Sequence, residues 1–109
     1  MASKKNEANM QKEIKKADSV LRELRSELKL NNEEMKTTGE SAQGLSKQQE
    51  ILRKEADQYE AKIEALNAKL KAANEIFGEQ SEEASRIRTT INNTSSAYEK
   101  IKQSINETE

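Results

Sequence analysis

The sequence predicts an all-α fold: three heptad-patterned helices packed as an antiparallel helical bundle or coiled coil, with turns near 38–44 and 78–81. Three observations carry that expectation. The first is composition. Of the 109 residues, 36% are charged, 3% are aromatic and none is proline, the make-up of long helices rather than of a sheet-forming core. The second is period. With Ile14 taken as heptad position a, 16 of the 21 Leu, Ile, Val, Met and Phe residues fall on a or d, where random placement would put roughly six. The third is punctuation, because the stripe passes two glycine-bearing segments that read as helix stops.

The first helix is expected near 7–37. Its seam is Met10, Ile14, Leu21, Leu24, Leu28 and Met35, with Ala17 and polar Asn31 between them. It ends in Thr37-Thr38-Gly39-Glu40-Ser41-Ala42-Gln43-Gly44, where weak helix formers surround Gly39 and Gly44. The second helix is expected near 45–77, with Leu45, Leu52, Tyr59, Ile63, Leu66, Leu70 and Phe77 on its seam. Ser46 with Gln49 spells a capping box for its start, and Ser41 offers an earlier cap. Phe77-Gly78-Glu79-Gln80-Ser81 then supplies a terminating glycine followed by an N-cap serine. The third helix is expected near 81–107, with Ile87, Ile91, Tyr98, Ile101 and Ile105 facing inward. Helices of these lengths run roughly 42–50 Å at 1.5 Å per residue, a match that suits an antiparallel bundle.

The three stripes share one phase, which leaves a second architecture open. A loop of arbitrary length would keep a seven-residue phase about one time in seven. One continuous helix of roughly 150 Å in an extended oligomeric coiled coil is therefore the alternative. Asn31, Gln49 and Thr94 are polar seam residues, of the kind that set register or mark places where helices part. The stretch 89–96, rich in Thr, Asn and Ser, is the third weak place for a helix.

Chemistry-bearing clusters are not expected. With no His and no Cys, the chain has no thiolate or imidazole metal site, no Ser-His-Asp constellation and no disulfide. Glu33-Glu34 and Glu82-Glu83 are adjacent carboxylates that point about 100° apart on a helix and so do not converge. Glu60 and Glu64 share a face, as solvated surface residues. Asp18 with Arg22, Glu50 with Lys54, and Glu82 with Arg86 have the i, i+4 spacing of helix-supporting pairs. We therefore expect no catalytic, cofactor or metal residue, no small-molecule ligand and no enzyme. The formal net charge is −1, and the basic N-terminal residues Lys4, Lys5, Lys12, Lys15 and Lys16 are offset by acidic neighbours, so nucleic acid is not an expected partner. No three large apolar residues are consecutive, so neither a membrane span nor a signal-peptide core is expected, and the chain reads as a soluble protein that starts in a cytoplasm.

From about Ala17 onward the chain resembles the N-terminal region of bacteriophage or prophage tail tape measure proteins. The resemblance is carried by Leu21-Arg22-Glu23-Leu24-Arg25-Ser26-Glu27-Leu28-Lys29-Leu30, by Leu45-Ser46-Lys47-Gln48-Gln49-Glu50-Ile51-Leu52 and by Phe77-Gly78-Glu79-Gln80-Ser81. It continues in Ile87-Arg88-Thr89-Thr90-Ile91-Asn92-Asn93 and Ser96-Ala97-Tyr98-Glu99-Lys100. It implies a structural role in tail length determination and tail assembly, as one helical region of a much longer chain. It also implies the phage virion tail, assembled in the host bacterial cytoplasm, as location. The implied partners are tube protein, assembly chaperone and tail-tip proteins, or further copies of the chain, and no family residue in this region is catalytic. A generic coiled-coil scaffold or adaptor that joins other proteins is the alternative function.

Overall fold

The computed structural model describes residues 4–108, and the side chains of residues 9–107. The chain is an all-α helical bundle: α1 (Lys4–Thr38), α2 (Ala42–Phe77) and α3 (Glu82–Thr108), with no strand among the described residues. It turns twice and does not run on as a single rod. The Cα radius of gyration is 17.1 Å and the body measures 54 × 23 × 17 Å. About 13 Å is usual for a compact domain of this size, and the excess reflects an elongated bundle.

Local chemistry sets each helix end. The hydroxyls of Thr37 and Thr38 donate back to the carbonyls of Glu33 and Glu34 at 3.1 and 2.7 Å, bonding within the helix four residues back and adding a second donor to those carbonyls. Gly39 follows at φ +88°, a conformation that only glycine takes without strain. Ser41 then caps α2, its extended backbone letting Oγ accept from the Gly44 N–H at 3.0 Å. The turn is therefore confined to residues 39–41. Gly44 lies inside the first turn of α2 instead of in the loop, and the Ser46 box is not where the helix starts. Gly78, at φ +95°, ends α2 by donating its N–H to the Asn74 carbonyl at 3.0 Å. Ser81 Oγ accepts from the Ala84 N–H at 3.1 Å, and Glu82 and Glu83 place negative charge on the first turn of α3, where the helix dipole favours it.

These caps give a direct test. Ser81→Ala and Ser41→Ala should each lower the unfolding free energy by about 1 kcal/mol. Ser46→Ala, which removes no cap, should stay within about 0.5 kcal/mol of the parent in urea titrations.

Adjacent helices are antiparallel. Lys69 Nζ donates to Gln11 Oε1 at 3.0 Å, Lys62 Nζ reaches Asp18 Oδ1 at 2.7 Å, and Gln48 Nε2 donates to Asn32 Oδ1 at 3.3 Å. Those three contacts fix α1 against α2. The Tyr98 hydroxyl on Glu60, and Gln49 Nε2 on the Ile105 carbonyl at 2.9 Å, fix α2 against α3. Asp18 thus bonds across to α2, while Glu50–Lys54 and Glu82–Arg86 close within their own helices at 3.3 and 3.7 Å. The Thr- and Asn-rich stretch 89–96 is unbroken helix. The hydroxyls of Thr89, Thr90 and Thr94 donate to carbonyls four residues back, so they do not compete for the backbone elsewhere.

Candidate functional site

The candidate functional site is the helix seam and the place where it stays open. Every close backbone approach runs through α2: it packs against α1 on one side and α3 on the other, and no described Cα of α1 comes within 8 Å of one of α3. The middle helix must bury a wider arc than its neighbours. Its buried residues accordingly include adjacent apolar pairs at multiples of seven residues, Ile51-Leu52, Ala65-Leu66 and Ala72-Ala73, beside Glu55 and Tyr59. Neighbouring residues point about 100° apart, so each pair broadens the covered face where a single a/d stripe would leave a narrow one.

The interior is densest in the half of the bundle nearest the second turn. Ile14, Ala17, Leu21 and Leu24 of α1 are buried there, with Ala84 and Ile87 of α3. Ile14 joins one apolar cluster with Ala65 and Leu66, and Ile91 packs against it. Tyr59, Leu52 and Leu66 are also buried. Met10, Leu28, Met35, Ile63, Leu70, Ile91, Tyr98, Ile101 and Ile105 are half-buried.

Two of the seam positions lie elsewhere. Phe77 is 59% exposed because it is the last residue of α2, directly before the Gly78 turn. Leu45 is 37% exposed. It sits in the first turn of α2, one helical turn before Gln49, whose Nε2 donates to the Ile105 carbonyl. Heptad spacing alone missed Ile51, Ala65, Ala72 and Glu55. The signal for the first three was present, as apolar pairs recurring at multiples of seven residues. For Glu55 there was none.

The polar seam residues behave in different ways. Asn31 is buried and its Nδ2 donates to the Gly44 carbonyl at 2.9 Å, clamping the first turn of α2 onto α1. A Cβ on Gly44 would meet Met35 Cγ and Sδ at 2.9 Å, so the glycine makes room for that side chain. Thr94 is buried and satisfied within its own helix.

Glu55 is the buried carboxylate among the interior's imperfectly satisfied polar groups. It is 1% exposed, and its Oε1 has no hydrogen-bond partner. Asn74 Oδ1 is a second buried acceptor with no hydrogen-bond partner. Burial pushes the Glu55 carboxyl above the usual carboxylate range, against an opposing pull from Arg25. The Arg25 guanidinium donates to Tyr59 Oη at 2.6 Å, and that hydrogen bond leads the causes that raise its pKa. Tyr98 is also held above its ordinary value, chiefly by its bond to Glu60. Arg25, Glu55 and Tyr59 line a groove of about 480 Å³ that also takes in Leu28, Lys29 and Ile101. Such an arrangement can receive a side chain. Among the described residues no three acidic, His or Cys side chains are grouped to hold a metal ion, and no helix is long and apolar enough to cross a membrane.

No protein-family model matches the chain, and neither a curated protein nor a solved structure shows a significant similarity to it.

Proposed function

We propose that this chain is a structural, non-catalytic segment of a phage or prophage tail tape measure protein, contributing to tail length and tail assembly through helix–helix contacts. The resemblance of residues 17–109 suggests the family. The observation that carries the reading is the single heptad phase that passes through both turns. A chain folded at Gly39 and Gly78 keeps its a and d residues in register when drawn out into one helix. A ruler needs length per residue and little globular bulk, and a proline-free helix supplies about 1.5 Å per residue. Tube protein, assembly chaperone and tail-tip proteins are the partners this role requires, in the virion tail.

The test is a deletion in the full gene within its phage or prophage. Removing residues 42–108 in frame should shorten tails by about 100 Å on electron micrographs, from the helix rise. Tails of unchanged length would overturn the proposal. The open groove between α1 and α3 favours a second reading, a coiled-coil adaptor that docks another helical protein and measures nothing.

A further inference from the structure

α1 and α3 stand apart along the bundle, and in the half nearest the first turn the gap between them holds the groove of about 480 Å³. Half-buried Leu28 of α1 and Ile101 of α3 form its walls, and Tyr59 and Glu55 of α2 form its floor. Glu55 is 99% withdrawn from solvent with Oε1 unpaired. A buried acceptor in that state is a standing deficit, and an incoming donor removes it.

The basic groups around the groove are placed differently. Arg25 already spends a guanidinium N–H on Tyr59. Lys29 and Lys36 are exposed at the rim, where water and salt screen them. The deepest unmet demand is therefore for a cation, and the outer demand is for anions. Lys29 and Lys36 are two helical turns apart, about 10.5 Å along α1, which is also the spacing of i and i+7 on a helix laid alongside.

We propose that this groove receives one helix of a partner protein, which inserts a Lys or Arg side chain between Leu28 and Ile101 to reach Glu55 and sets two carboxylates against Lys29 and Lys36. The partner's recognition face is thus a basic residue in an apolar stripe, bracketed by acidic residues seven apart. Glu33, an acidic rim residue, disfavours a uniformly acidic helix. The inference stands apart from the tail reading, since it concerns what the groove accepts and not what the chain measures.

The test uses the intact chain with methyl-labelled Leu and Ile, titrated with n-butylguanidinium as an arginine side-chain probe. Leu28 and Ile101 resonances should move saturably. Glu55→Gln and Glu55→Leu should each weaken binding at least tenfold while circular dichroism stays unchanged, and Arg25→Gln should leave it equal or tighter. A lactam-stapled helical peptide with the pattern Glu-x-x-x-Lys-x-x-Glu should bind the same face, and norleucine in place of its Lys should weaken it at least tenfold. Sodium butyrate moving the same signals, unchanged binding by the Glu55 variants, or a norleucine peptide binding equally well would overturn the assignment. So would sedimentation showing a dimer of the chain alone that Glu55→Gln dissociates, since the occupant would then be a second copy.

Discussion

Leu21→Ala should lower the unfolding free energy by about 3 kcal/mol, and the melting temperature by roughly 12–18 °C. Leu21 is 1% exposed on the bundle-facing side of α1 and is the largest fully buried apolar side chain. Truncating it loses the transfer free energy of three carbons and leaves a void that helices joined by short turns cannot easily close. A domain of this size has about 5–15 kcal/mol in hand, so about a fifth or more of its stability rests on that one position. Leu30→Ala is the control on the same helix. Leu30 is 60% exposed, and its loss should change stability by no more than about 0.5 kcal/mol. Urea unfolding followed by circular dichroism reads both. Equal effects at the two sites would mean that the buried face of α1 has been misplaced.

Glu55→Leu should act in the opposite direction, stabilising the fold at pH 7 by about 1–2 kcal/mol. The buried carboxyl has a folded-state pKa above its ordinary value, because burial penalises the anion more than Arg25 helps it. Its contribution to stability is therefore full below the unfolded-state value, about 4.3, and is lost as pH rises through the folded value. Glu55→Gln removes the titration while keeping the shape. The advantage of Gln over Glu should be largest at neutral pH, shrink as pH falls through the raised folded value, and reach its minimum below about 4. Denaturant midpoints at pH 3.5, 5.5 and 7.5 resolve that slope. An advantage independent of pH would show that Glu55 keeps an ordinary pKa in the folded state. A residue that weakens the fold where Leu would strengthen it is most simply explained by something it binds. The same substitutions that stabilise the free protein are those that should abolish capture of a basic side chain in the groove.

Helical class, the three-helix division and the two turns were legible in the chain because they depend on local rules. A seven-residue apolar period has to bury its stripe, and a glycine at φ +88° or +95° followed by a serine cap ends one helix and begins another whatever surrounds it. Most of the a and d residues could be named for the same reason. The boundary at Gly44 could not, since Ser41 and Ser46 each make a plausible cap in sequence. The choice fell to Ser41, whose Oγ meets the Gly44 N–H, with Asn31 reaching across from α1 to the Gly44 carbonyl.

What the tertiary structure decided is which helix sits between the other two. Period alone treats all three alike, yet α2 takes both neighbours while α1 and α3 stay apart. That asymmetry buries Ile51, Ala65 and Ala72 beside the expected stripe, while Leu45 in the first turn of α2 stays 37% exposed. It also turns a glutamate outside the a/d positions into the floor of a groove. No local pattern marks Glu55, because its burial comes from residues dozens of positions away that meet it only when both turns have closed. Secondary structure follows from neighbours along the chain; burial follows from neighbours in space, and the shared phase of this sequence fits more than one arrangement of those.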